Sequence, residues 1–250
     1  MQIKDKIVII TGGANGIGAA LARRLFLEGA QVVIGDIDKK SGQELVAEFN
    51  QNNKINAIFV LCDVTNSDHL HQLFDTAQNT FGGVDIVCNN AGIAQADSWM
   101  KTIDVNLNAV IKCTQLGIQF LKKRGGGAII NTASIAGFSP FNPMPIYTST
   151  KYAVVGFTQS LRDLNDTDKI RVNTIAPGSV DTQLLQGLIK SSPTISQIVD
   201  KLGYVPVDEV IDAFIKIIQD DKLVGDTVMV SKKGHSQIIS PNSLIGTNAS

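Results

Sequence analysis

The chain has 250 residues, 44% hydrophobic and 18% charged, with a formal net charge of −1. That balance gives a globular protein with a sizeable core and excludes a disordered chain. It also excludes the basic surface that nucleic acid needs, so no nucleic-acid partner is expected. No apolar run reaches the roughly 20 residues that span a bilayer. The N-terminal MQIKDKIVIITGG has no apolar leader core followed by a small-residue cleavage site. Cys62, Cys88 and Cys113 are scattered, odd in number and set among apolar residues. They are expected to be free buried thiols in the reducing cytoplasm, without the paired spacing of a metal site.

Short apolar runs alternate with helical patterns along the chain. KIVIIT (6–11) predicts the first strand, and a glycine-rich turn leads from it into a helix over 17–28 that stops at Gly29. AQVVIGD (30–36) predicts the second strand, 39–50 a helix, AIFVLCD (57–63) the third strand, and 67–81 a helix stopped by Gly82-Gly83. VDIVCNN (84–90) follows, then a long helix over 99–123 ending at Gly125-Gly126-Gly127. GAIINTAS (127–134), a helix over 148–164, IRVNTIAP (170–177), a helix over 207–220 and DTVMVS (226–231) complete the series.

Val and Ile on both faces mark these strands as buried and parallel. The alternation predicts a single-domain α/β fold over 1–236, a doubly wound, parallel, seven-stranded sheet of the Rossmann type with right-handed crossovers. Residues 237–250 read as a poorly ordered C-terminal tail. Segment 179–205 interrupts the rhythm with apolar residues at helical spacing. It is either a substrate lid at the carboxyl end of the sheet or an ordinary pair of packing helices.

The turn Thr11-Gly12-Gly13-Ala14-Asn15-Gly16-Ile17-Gly18 lies between a first strand and a first helix. Glycines there let the backbone approach a pyrophosphate and let the helix pack close, while the helix N-terminus offers free N–H groups. Gly12, Asn15, Gly16, Ile17 and Gly18 are therefore candidate dinucleotide-binding residues. The second strand ends at Gly35-Asp36-Ile37-Asp38. Asp36, with Ile37 beside it, is placed to accept from the adenosine ribose hydroxyls and would repel a 2′-phosphate, which predicts NAD over NADP. Asp38 reads as the cap of the next helix. The third strand ends at Cys62-Asp63-Val64, where a carboxylate can reach the adenine amino group or simply close a turn.

In IYTSTKY, Tyr147 and Lys151 stand four apart, on one face of a helix. A lysine ammonium beside a phenol lowers the phenol pKa from about 10 and makes it an acid–base group near neutral pH. The bland alternative is a solvated helix face.

The pattern Thr-Gly-x-x-x-Gly-x-Gly resembles the short-chain dehydrogenase/reductase family. So do Asn89-Asn90-Ala91-Gly92, Asn106, Ser134, Tyr147-x-x-x-Lys151, and Pro177-Gly178 followed by Thr182, over roughly residues 6–233. The resemblance implies that Tyr147 exchanges a proton with the substrate oxygen and that Lys151 lowers its pKa and holds the nicotinamide ribose. It implies that Ser134 hydrogen-bonds the same substrate oxygen and that Asn106 supports a proton-carrying water chain. Asn90 would lie beneath the cofactor, and Val180 and Thr182 would close over the nicotinamide. It further implies a homodimer or homotetramer.

The run NNAGIAQADSWMKTIDVNLNAVI (89–111) resembles the branch of that family that oxidises 15-hydroxyprostaglandins with NAD. This implies oxidation of a lipid-like secondary alcohol to the ketone. One departure is Met144, three residues before Tyr147, where that branch carries a glutamine that holds the substrate hydroxyl; Met is a weak acceptor and no donor. Met144, Phe138, Phe141, Leu184, Leu185 and Leu188 would line an apolar pocket. The alternatives are a carbonyl reductase acting on an oxoacyl or ketosteroid substrate, and a non-catalytic nucleotide-binding scaffold.

Overall fold

The computed structural model describes residues 1–51, 55–94, 96 and 98–241. In chain order the elements are β1 (Ile7–Thr11), α1 (Gly16–Leu27), β2 (Gln31–Asp36), α2 (Lys39–Phe49), β3 (Ala57–Leu61) and α3 (Ser67–Phe81). Next come β4 (Ile86–Asn89), α4 (Trp99–Ile103), α5 (Ala109–Arg124), β5 (Gly127–Thr132), α6 (Pro145–Gln159) and α7 (Leu164–Asp168). The chain finishes with β6 (Ile170–Pro177), α8 (Gln183–Ser191), α9 (Pro193–Leu202), α10 (Val207–Gln219), β7 (Thr227–Lys232) and β8 (His235–Ile239).

The strands form one sheet in the order β3-β2-β1-β4-β5-β6-β7-β8. β1 to β7 are parallel and β8 runs antiparallel to β7. The strand order reverses at β1, so β1 and β4 diverge there and leave a crevice at their carboxyl ends. Each face carries an apolar layer. Val8, Ile10, Ile34, Cys88 and Ile130 pack with α1, α2 and α10; Ile9, Val33, Val87 and Ile129 pack with α3 and α5. Burying one such side chain stabilises the fold by about 1.5–3 kcal/mol.

The helices start and stop where local chemistry dictates. Asn66 caps α3 by accepting from Asp68 N at 2.8 Å, and Asp38 caps α2 by accepting from Ser41 N at 3.1 Å. Gly82 and Gly125 close α3 and α5 in the left-handed region, at φ 88 and 86°. Pro145 at the first position starts α6 three residues before the predicted boundary.

Three expectations need correction. The sheet has eight strands, because the chain turns back at Gly234 (φ 71°) and β8 pairs with β7. The tail expected to begin at 237 therefore opens inside a strand, while residues 242–250 lie outside the described residues. The predicted long helix over 99–123 is two α-helices joined by a π-helical turn, Asp104–Asn108. All three cysteines are free and buried. Among the described residues no helix is long and apolar enough to cross a membrane.

Candidate active site

A single cavity of about 1290 Å³ runs across the carboxyl edge of the sheet, from the β1–α1 turn to α8 and α9. It exceeds the 300–1,000 Å³ of an ordinary small-molecule site, so it has room for a dinucleotide and a second molecule.

At one end, Gly12 has φ 62°, and a Cβ there would lie 2.7 Å from Ala91 Cα. A Cβ on Gly18 would lie 2.1 Å from the Gly12 oxygen and 2.6 Å from Asn90 Nδ2. Only hydrogen fits at both. Gly12, Asn15, Gly16 and Ile17 line the cavity, whereas Gly18 does not; it is the point where α1 packs onto the turn. The start of α1 carries no side-chain cap, unlike α2 and α3, because the Asn15 amide is turned onto Asp38 Oδ2 at 3.0 Å. Its first-turn N–H groups are thus left to an external anion.

The carboxylates around this end hold the loops in place. Asp36 accepts from Ala14 N and Asp38 N, each at 2.9 Å, so it braces the glycine turn while facing the cavity. Asp63 accepts from Thr65 N at 2.9 Å and Thr65 Oγ1 at 2.7 Å; these bonds hold its pKa below the ordinary carboxylate value. Asp38 is held low by Ser41 and Asn15. Ile37 is exposed at the rim, and the buried Cys62 and Val64 form the wall beside it. Burial pushes the Cys62 thiol up to about 12, so it is an inert neutral wall group. Asn90 Nδ2 donates to Gly12 O at 2.9 Å and Thr11 O at 3.2 Å, which spends its amide on the turn.

In the middle of the cavity stand Ser134, Tyr147 and Lys151. Ser134 follows β5, accepts from Ala136 N at 3.2 Å and donates to Pro177 O at 3.4 Å, with the Tyr147 phenol close enough for its side chain to act on it. Lys151, 4% exposed, donates to Thr132 O at 2.9 Å and sits 5.4 Å from the centre of the Tyr147 ring. Burial pulls its ammonium down to about 8. Burial also pushes the half-buried Tyr147 phenol up, with the Ser134 hydrogen bond pulling the other way. The expected lowering by Lys151 is not found: Ser134 is what opposes burial, and the Lys151 ammonium is committed to the Thr132 carbonyl.

Asn106 stands on the π-helical turn, fully buried, a feature common at functional sites. Its amide clamps Ile93 by accepting from Ile93 N at 2.9 Å and donating to Ile93 O at 2.8 Å. Periodicity gave no hint of the turn that aims it there.

A buried polar chain missed by sequence reasoning ties this centre to the sheet. Asn89 donates to Asn131 Oδ1 at 2.8 Å and Thr114 Oγ1 at 3.0 Å, and Asn131 donates to Thr158 Oγ1 at 3.0 Å. It fastens α5 and α6 to β4 and β5 and so fixes the helix that carries Tyr147 and Lys151. Asn89 and Asn131 are directly paired across the strands, a register that the sequence does not print.

The far end is apolar. Met144, Leu185, Ile195 and Val199 are buried together against Tyr147, Phe141, Leu188 and Ile189. Val180 pairs with Val205, and Thr182 caps α8 by accepting from Leu185 N at 3.4 Å, so α8 and α9 form the wall opposite Tyr147. Phe138, expected in this pocket, packs instead with Val110, Ala133, Val154 and Val155 beneath it. On α6, Val154, Val155 and Thr158 are buried within the chain.

Residues 6–192 match the short chain dehydrogenase family model. The chain is 32% identical over 246 residues to 15-hydroxyprostaglandin dehydrogenase [NAD(+)] of Mus musculus, covering 92% of this chain and 91% of that protein. It is 36% identical over 190 residues to an uncharacterized oxidoreductase of Staphylococcus aureus (strain MW2), covering 73% and 81%. Among solved structures, a short-chain type dehydrogenase/reductase from Mycobacterium ulcerans superposes with a TM-score of 0.83 at 25% identity, covering 94% of this chain and 90% of that one. By sequence, by fold and by the residues gathered in its cavity, the chain belongs to the short-chain dehydrogenase family.

Proposed function

We propose that the protein oxidises a hydrophobic, lipid-like secondary alcohol to the ketone with NAD, the class that includes a 15-hydroxyprostaglandin. The observation that carries the reading is the joining, in one cavity, of a glycine turn that only hydrogen fits, the Ser134–Tyr147–Lys151 group, and an apolar wall. The donors suit a dinucleotide: uncapped N–H groups at the start of α1 for the pyrophosphate, and the Asp36 carboxylate for the adenosine ribose. The negative charge of Asp36 favours NAD over a cofactor with a 2′-phosphate. Ile37, Cys62, Asp63 and Val64 would flank the adenine, and Asn90, Lys151, Val180 and Thr182 the nicotinamide ribose and ring. When bound, the nicotinamide supplies the hydride acceptor.

The chain's own residues do the rest. Ser134 holds the substrate hydroxyl oxygen, and Tyr147 accepts its proton. The Lys151 ammonium beneath the ring favours the phenolate that takes this proton, and the neutral phenol results. Asn106 fixes the Ile93 backbone at the cavity wall, and the lid helices keep water from the carbinol carbon. The relatives named as NAD-dependent 15-hydroxyprostaglandin dehydrogenases support the direction and the cofactor.

The test is initial-rate formation of reduced cofactor with NAD, then NADP, against apolar secondary alcohols, hydroxylated fatty acids, prostaglandins and steroids. Turnover with NAD and an apolar alcohol is expected. Preference for NADPH-driven reduction of the ketones would overturn the reading.

A further inference from the structure

The charges around the cavity are unevenly distributed. Asp36, Asp38 and Asp63 all belong to the turns around the glycine loop. Lys101 acts electrostatically on Asp63, so it too belongs to that end. Asp104 is exposed on the π-helical turn and accepts from Asn108 Nδ2 at 2.8 Å. Lys151 is the cation nearest the reacting centre among the described lining residues, and it is spent on Thr132 O and the Tyr147 ring.

Beyond Tyr147, the described side chains of α8 and α9 that line the cavity carry no charge, and Gln183 is the one polar side chain among them. Met144 stands where the wall meets the catalytic helix, 7% exposed, with Leu185, Ile195 and Val199 equally buried. An ionised group placed here would lose water and meet no charged partner on this wall among the described residues, a cost that exceeds the apolar contact it could make. Leu184 and Leu202 line the cavity yet are 44% and 50% exposed, so they mark its rim, where a charge keeps its hydration.

We propose that the site selects an alcohol that is uncharged around its carbinol carbon. Neutral alkyl or ester groups are accepted on both sides, a carboxylate within a few bonds of the hydroxyl is rejected, and a carboxylate far enough away to reach the rim is tolerated. This rests on the alcohol-dehydrogenase reading above and narrows its substrate class.

The test compares two pairs of compounds on the full chain saturated with NAD: 3-hydroxydecanoic acid with its methyl ester, and 12-hydroxyoctadecanoic acid with its methyl ester. Calorimetric binding and initial rates are read in parallel near neutral pH. The ester of the first pair is expected to bind about tenfold tighter or more, and the second pair to differ by no more than about threefold, the difference being the desolvation of one unpaired carboxylate. Equal or tighter binding of 3-hydroxydecanoate, or no binding of either ester, overturns the proposal. An ester preference in binding without any turnover leaves the proposal standing and sinks the dehydrogenase reading instead. Leu188→Arg, on the half-buried face of α8, supplies the missing cation. It is expected to narrow the gap of the first pair by about tenfold, and an unchanged gap at wild-type NAD affinity counts against the proposal.

Discussion

The two ends of the cavity are built on different physics. At the glycine turn, fit is set by the backbone: hydrogens where any Cβ collides, uncapped N–H groups, and carboxylates braced by two or three hydrogen bonds each. At the lid, fit is set by side-chain packing, with four buried apolar residues from three segments and one weak polar acceptor among them. The first kind of site is intolerant of substitution and tied to one ligand chemistry. The second adapts, because apolar contacts are non-directional. This explains why the family assignment is firm at the turn while substrate choice is carried by a wall that composition alone can change.

The contrast can be broken at either end. Gly18→Ala has the largest expected effect, since its methyl meets the Gly12 oxygen at 2.1 Å. Dinucleotide affinity should fall about 100-fold or more, while an apolar probe still binds at the lid; the loss follows from forcing the turn and helix apart. Calorimetry with NAD and with a hydrophobic fluorophore reads both. Leu185→Ala acts at the other end. KM for an apolar alcohol should rise about tenfold while KM for NAD stays within about twofold, because burial is lost only at the wall.

Asp36→Asn sharpens the electrostatic half by keeping an acceptor for Ala14 N while removing the charge. The preference for NAD over NADP should shrink about tenfold, as expected for the loss of one close like-charge repulsion. An unchanged ratio would remove Asp36 from cofactor choice. A last test concerns Lys151, whose ammonium burial pulls down to about 8 in the folded chain against an ordinary 10.5. Between these values the unfolded chain binds the extra proton, so the wild type gains stability relative to Lys151→Met as pH rises through that window. The buried thiols contribute equally to both proteins and cancel. Parallel denaturant titrations across the window measure the difference, and a flat difference would contradict the burial of the ammonium.

Much of this was legible in the sequence because it is local. The Gly12–Gly18 turn, Asp38 as a cap and the Tyr147/Lys151 spacing are each read within a few residues, and buried parallel strands announce themselves by continuous Val and Ile. What stayed hidden is non-local or breaks a period by one residue. The π-helical turn at Asp104–Asn108 adds a single residue to a helical repeat with no Gly or Pro to flag it. The Asn89–Asn131–Thr158 chain joins residues that only strand register brings together. Strand β8 carries little sequence signal beyond the turn at Gly234, because five residues of mixed polarity at an exposed sheet edge have almost no hydrophobic pattern.

The measurement that tests the central claim most directly is Tyr147→Phe, assayed for NAD binding and alcohol oxidation in the same preparation. The phenylalanine keeps the ring that packs with Met144 and removes only the proton-accepting oxygen. NAD affinity within about twofold of wild type, with turnover down about a thousandfold or more, is the predicted result for loss of a positioned acid–base group. Undiminished turnover would mean that the proton leaves by another group, and that Tyr147 stands in the cavity only to fill it.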